Sequence, residues 1–225
     1  MLKVSPHQMF WDSHEKYVEM GGVVDEIQPM FNDFADKYSA DGQYIGMGRW
    51  AFDKIIDSGE REHFDVGGEI GFLVYLARFT KINHVDIRDS GTRCPNFNFI
   101  RGSITNLPFA DNSIKSLSCL HVAEHIGLGR YGDEVDPDGF AKGCRELVRV
   151  LAPGGKLYFA VPMGIPRTVF NAHRVIGSGQ LVSALRGLSL LEFSGITTGG
   201  VVYKNIPTDH LDAERYACGM GVWTK

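Results

Sequence analysis

The stretch FDVGGEIGF, residues 64–72, decides how the rest of the chain is read. A β-prone run ends in Asp65, passes through Gly67, Gly68 and Gly71, and enters an apolar, helix-forming segment. Glycine permits both a tight turn and a close backbone approach. A strand that turns into a helix there aims N–H groups at whatever lies beyond the loop. Taken alone, the pattern serves a plain strand-to-helix turn equally well, so its neighbours must decide. The next apolar run closes in HVDIRD, residues 84–89, which places Asp86 21 residues after Asp65. In an open parallel sheet, an acid at that strand tip accepts hydrogen bonds from both hydroxyls of a ribose. Two carboxylates at adjacent strand tips describe a nucleoside site.

Working outward, short apolar runs alternate with amphipathic stretches from residue 63 onward, the pattern of β-α units around a parallel sheet. Strands are expected near 63–67, 84–88, 97–101, 116–121, 155–161, 189–194 and 218–224. Helices are expected at GFLVYLARF (71–79), at FAKGCRELVRVL (140–151), ended by Pro153 and Gly154, and at QLVSALRGL near 180. Only about eight residues separate the second and third strands, fewer than a helical crossover needs. That crossover is therefore a single turn, or one of the two strands is misplaced. Residues 1–60 form a helical preface, with apolar spacing in FWDSHEKYVEM and PMFNDFADKY broken by Gly21, Gly22 and Pro29. The expected organisation is a helical segment at 1–60 and one domain at 61–225.

Composition narrows the function. With 23 basic and 27 acidic residues the net charge is −4, and no lysine- and arginine-rich run offers a stripe for a phosphate backbone. Nucleic acid is not an expected partner. The four cysteines show no C-x-x-C pair, which points to free thiols in a reducing cytoplasm rather than a zinc site or disulfides. No apolar stretch is long enough for a membrane span, and the N-terminus lacks the apolar core of a signal peptide. The acidic run DEVDPDGF at 133–140 imitates the start of a calcium loop, but Arg145 falls where the bidentate glutamate belongs. It reads as a loop with Asp138 capping the following helix, and no metal is expected.

Four segments occur together in order: FDVGGEIGF, HVDIRD, GSITNLPFADNSIKSLSCLHVAEHI (102–126) and ELVRVLAPGGKLYFAVP (146–162). From about residue 60 to the end the chain resembles class I S-adenosylmethionine-dependent methyltransferases. The most specific parts are L-P-F before the fourth strand, E-H-I after it, and L-x-P-G-G before the fifth. The resemblance implies an α/β, Rossmann-like, seven-stranded sheet. It would be mostly parallel with the last strand antiparallel, in order 3-2-1-4-5-7-6, with helices on both faces. It implies S-adenosyl-L-methionine as cofactor. Asp65, Gly67, Gly68 and Gly71 would wrap the methionyl part, Asp86 the ribose, Ile87 the adenine face, and Ser103 and Ile104 the adenine edge, with His121 beside the sulfonium. Glu69 stands where the family has its middle glycine, so a wider loop is expected. Ser103 replaces the usual aspartate. EHIGLGRYGDEVDPDGF and FNAHR resemble a branch associated with sugars and glycan precursors.

Methyl transfer to a hydroxyl needs a group to take its proton. His173, in the polar stretch PRTVFNAHR, and His125 are the candidates, His125 with a structural role as its alternative. Arg130, Tyr131, Arg167, Asn171 and Arg174 are candidates to hold a small polar acceptor such as a sugar or phosphosugar. The leading expectation is O-methylation of that acceptor. N- or C-methylation of another small molecule, a non-catalytic binding protein that keeps the fold, and a nicotinamide oxidoreductase are the alternatives.

Overall fold

The structure is a computed structural model that describes residues 5–27, 29 and 42–225. It divides into two compact units, Met1–Asp41 and Gly42–Lys225. In the first, α1 (Pro6–Glu19) starts where Ser5 accepts a hydrogen bond from the Gln8 amide and proline occupies the first turn. Most of PMFNDFADKY lies outside the described residues.

The second unit begins earlier than residue 61. α2 (Gly42–Asp57) belongs to it, burying Met47, Ala51 and Ile55 in the same cluster as sheet residues Ile82, Tyr158 and Met220. After it come β1 (Glu62–Val66), α3 (Ile70–Leu76), β2 (Lys81–Asp86), β3 (Phe97–Arg101) and β4 (Ile114–Leu120). The chain continues through α4 (Gly139–Val150), β5 (Leu151–Met163), β6 (Arg167–Val169), β7 (His173–Val175) and α5 (Ser178–Ala184). It ends with β8 (Ser189–Ile196), β9 (Val202–Tyr203) and β10 (Ala217–Thr224).

The main sheet has eight strands in the order β3-β2-β1-β4-β5-β10-β8-β9. The expected seven strands in order 3-2-1-4-5-7-6 are corrected accordingly. Two local features make the difference. β6 and β7 pair only with each other as a separate hairpin, and the two residues of β9 add an edge strand to β8. Pairing is parallel through β3-β2-β1-β4-β5, and β10 runs antiparallel to both of its neighbours.

Side-chain alternation sorts the core into two layers. Along β5, Leu157, Phe159 and Val161 join α4 and α5 on one face, whereas Tyr158 and Ala160 join α2 and α3 on the other. The crossover between β2 and β3 contains no helix, so both strands stand and the short connection is simply a loop. α4 ends at Val150, before the expected stop, and β5 follows at once. Pro153, Gly154 and Gly155 fall inside β5, where its register with β4 jumps between Ile114 and Ser116. Asp138 occupies the N-cap position of α4, but its side chain makes no capping bond.

Candidate active site

The loop after β1 is anchored from below. Asp65 is fully buried; its Oδ1 accepts from the Gly68 amide (2.8 Å) and faces His84 Nδ1 (3.1 Å), while its Oδ2 accepts from the Ser118 hydroxyl. Since that hydroxyl donates to Asp65, it accepts from His63 Nε2 at 2.9 Å, and His63 Nδ1 in turn accepts from Ser116 at 2.7 Å. Burial pushes His63 down to about 4, consistent with a neutral ring. Asp65 therefore holds the loop's shape and does not reach the cavity above it. A Cβ on Gly68 would come within 2.5 Å of the Asp65 carboxylate, and one on Gly67 (φ +67°) within 2.7 Å of Val122 Cγ1.

Beyond the carboxyl ends of β1, β2 and β4 opens a cavity of about 530 Å³, where open α/β sheets place their ligands. β2 contributes Asp86, with Ile87 and Arg88 just after it; Ser103 and Ile104 follow β3; His121 follows β4. Asp86 Oδ1 accepts from the Arg88 amide (2.8 Å) and Nε (3.3 Å), whereas its Oδ2 has no hydrogen bond among the described residues. Ile87 is partly exposed, giving a flat ligand ring an apolar wall. The Ser103 hydroxyl pairs with Thr105 at 2.9 Å.

Glu69 takes an unexpected role. Its carboxylate accepts from the Gly71 and Phe72 amides, both at 2.7 Å, so it caps α3. Gly67 donates to Val85 O. Four amides of the loop are thus committed within the protein, and Gly68 and Gly71 lie outside the lining of the cavity. A smaller cavity of about 200 Å³ adjoins the first, sharing Gly67, His121 and Tyr131 with it and adding Glu69, Tyr44 and Met47.

After β4 the chain makes a 3-10 turn, Ala123–His125, that builds a cluster of three ionisable groups. His121 sits at φ +54°, a backbone region that non-glycine residues seldom adopt. Glu124 is fully buried, with Oε1 3.3 Å from His121 Nδ1 and 3.6 Å from His125 Nε2. Burial pushes its carboxyl up to about 8, so the neutral acid prevails at neutral pH. His125 Nδ1 lies 2.6 Å from Ala172 O and must donate to it, which turns Nε2 toward Glu124. Burial lowers the basicity of this imidazole.

Residues 127–133 fold over the cavity with Gly127, Gly129 and Gly132 all at positive φ. The Asp133 carboxylate ties this loop by accepting from the Gly127 and Tyr131 amides. The Tyr131 ring is flanked by the Arg88 and Arg130 guanidiniums, 4.5 and 5.1 Å from its centroid. Arg130 also donates to Ala172 O. The acidic run lines the cavity as well, through Asp133, Glu134 and Asp136. Reading that run as a plain loop missed this, as did passing over Arg88 in HVDIRD.

The remaining predicted residues lie outside both cavities. His173 begins β7, half-buried, its ring edge-on to Tyr216 at 5.0 Å, and its basicity is lowered by burial and by the charges of Arg167 and Arg130. Arg174 donates to the carbonyls of Glu124, Ile126 and Pro137, bracing the loop after β4. Arg167 donates to Ile165 O, and Asn171 lies at the exposed hairpin tip.

A family model described as "Caenorhabditis protein of unknown function, DUF268" matches residues 106–212. Among solved structures, the [4+2]-cyclase SpnF covers 99% of this chain and 97% of its own at TM-score 0.58 and 14% identity. A 1,6-didemethyltoxoflavin-N1-methyltransferase from Burkholderia thailandensis, with its substrate and S-adenosylhomocysteine bound, covers 100% and 93% at TM-score 0.56 and 14% identity. This is the fold of class I S-adenosylmethionine-dependent methyltransferases. A demethylmenaquinone methyltransferase of Paenarthrobacter aurescens (strain TC1) is 30% identical over 156 residues, covering 60% of this chain. The chain spans 54% of that relative's length. The methyltransferase fold hosts a cyclase as well, so the reaction has to be argued from the site.

Proposed function

We propose that the protein is an S-adenosylmethionine-dependent methyltransferase acting on a small molecule. The observation that carries this reading is Asp86: at the tip of β2, facing a cavity, with one carboxylate oxygen held by Arg88 and the other open to a ribose diol. Ile87 would lie against the adenine, Ser103 and Ile104 at its edge, and Gly67 beneath the ribose. When bound, S-adenosylmethionine supplies a methyl group already activated on a sulfonium. The chain's tasks are then to align the acceptor, exclude water and take a proton.

The proposed acceptor is a hydroxyl of a sugar or glycan precursor, resting on the resemblance of residues 124–140 and 170–174 to that branch. Of the three arginines proposed to grip it, Arg130 and Arg174 serve carbonyls on other segments, whereas Arg167 donates to Ile165 O, two residues away. Arg167 and Asn171, at the exposed hairpin, are the better placed to meet an acceptor. His173 is the proposed base, with His125 as its partner beneath the hairpin. The similarity to demethylmenaquinone methyltransferases favours a second reading, an acceptor of that kind. Free cysteines and the lack, among the described residues, of any helix long and apolar enough to cross a membrane accord with a proposed cytoplasmic location.

Calorimetric titration with S-adenosylmethionine, S-adenosylhomocysteine and NAD tests the cofactor. Binding of the first two only, lost in Asp86→Ala, is the expected result. Binding of none to folded protein would favour a non-catalytic role, and binding of NAD alone an oxidoreductase. Radiolabelled methyl transfer to sugar nucleotides or to demethylmenaquinone then separates the two acceptors.

A further inference from the structure

The loop at 127–133 meets β2 across the mouth of the larger cavity through one side chain from each. Arg88 follows the tip of β2, where its amide (2.8 Å) and Nε (3.3 Å) both donate to Asp86 Oδ1. Its guanidinium carbon lies 4.5 Å from the centroid of the Tyr131 ring, within the range of a cation–π contact. Arg130 flanks the same ring at 5.1 Å, but it is the preceding residue and its contact is local. Arg88 comes from a separate strand, so its contact fixes where the loop stands. The loop's own shape is set from within, by Asp133 accepting from the Gly127 and Tyr131 amides. On the far side Arg130 donates to Ala172 O, at the tip of the β6-β7 hairpin. Tyr131 is thus carried on a compact unit whose position, more than its path, depends on Arg88.

That position matters because Tyr131, with Gly67 and His121, lines both cavities. A ligand that occupies the two together passes this ring. We propose that Arg88 and Tyr131 form a latch that retains such a ligand, with Arg88 a positioning residue that keeps the Tyr131 ring at the junction. This rests on the cofactor reading above, which supplies the spanning ligand. One carboxylate then serves both parts: Asp86 orients Arg88 through Oδ1 and offers Oδ2 to the ribose. The Arg88 side chain is 59% exposed, so the contact is a solvated one and its loss is worth about two- to fivefold in ligand retention, not an all-or-none effect.

The test is the dissociation rate of S-adenosylhomocysteine from wild type, Arg88→Ala, Tyr131→Ala and the double variant, measured by surface plasmon resonance, with Tyr131→Phe as the conservative replacement. Circular dichroism checks that each variant is folded. Each alanine variant should release the ligand about two- to fivefold faster. The double variant should release it no faster than the singles, because both substitutions remove one and the same contact. Phenylalanine keeps the ring face and should restore a rate near that of wild type. Effects that multiply in the double variant would make the two residues independent contacts and overturn the latch. Unchanged release from either single variant would overturn it too, as would Tyr131→Phe releasing as fast as Tyr131→Ala. If wild type itself binds no S-adenosylhomocysteine, the cofactor reading fails and the latch with it, whereas failure of the latch alone appears only among the variants.

Discussion

Replacing Glu124 by glutamine should make the folded protein more stable, and increasingly so as pH rises. In the native state its carboxyl titrates at about 8, against 4.5 for the same group in water, because burial penalises the charge. Between those values the folded chain holds a proton that the unfolded chain has released. The stability that Glu124 contributes is therefore complete below about 4.5 and is lost as pH rises through 8. From about pH 5 to 7.5 the loss is about 3 kcal/mol at about 1.4 kcal/mol per pH unit. The groups around Glu124 set how much of this is realised. The imidazoles of His121 and His125 lie within 3.6 Å, the charge of Arg130 favours ionisation, and the nearby Cys119 and Cys144 thiols are pushed upward by burial. Protonation of either imidazole would trim the figure toward half. Wild type alone is a poor probe, because His63 contributes with the opposite sign at acid pH. The difference between wild type and Glu124→Gln isolates the group, since glutamine mimics the neutral acid. Urea unfolding of both proteins at pH 5 and 7.5 should give near-equal stability at the lower pH and a variant more stable by about 1.5–3 kcal/mol at the higher. The same difference at both pH values would refute a neutral Glu124.

Four further outcomes are expected. His63 should cost the wild type up to about 3 kcal/mol as pH falls from 6.5 to about 4, because its stabilisation is present above its unfolded value and lost on charging; a His63→Gln unfolding profile should flatten over that window. Arg149→Ala, which removes bonds to Glu146, Asp111 and the Leu107 and Phe109 carbonyls, should destabilise by about 2 kcal/mol in urea melts. Gly67→Ala should weaken S-adenosylhomocysteine binding at least tenfold by calorimetry, since its Cβ meets Val122 at a backbone angle unfavourable to alanine. His173→Ala should leave cofactor affinity unchanged while methyl transfer falls; unimpaired transfer would remove His173 from the proton path.

The sheet was legible because β1 to β5 carry apolar runs that local pattern exposes, and because Asp86 sits at a strand tip that sequence spacing alone can mark. Strand β3 matched its expected range. The edges were not legible: β9 is two residues long and depends on β8 for its pairing, and the hairpin β6-β7 is a polar stretch without alternation. The start of β5 was obscured because Pro153 and Gly154, ordinarily helix stops, lie within a strand whose register jumps there. At the site, the cavity-facing position of Asp86 follows from one residue and one strand end. The roles of Asp65 and Glu69 depend on three-dimensional partners, Ser118 and His84 for one and the α3 amides for the other, which no spacing reveals.

Those partners also explain why the glycine loop survives a glutamate in its middle. Asp65 carries the structural load from beneath, joined through Ser118 and His63 to β4, so the loop's path is set by buried polar contacts rather than by glycine content. Glu69 lies on the outer side, where its backbone is extended (φ −69°, ψ 126°) and any L-residue fits. Gly67 differs, because positive φ and the Val122 contact leave no room for a side chain. Within one short motif the three glycines therefore divide into one required by backbone geometry and two whose side-chain space is taken by acids, while Glu69 occupies a position whose backbone accepts a side chain.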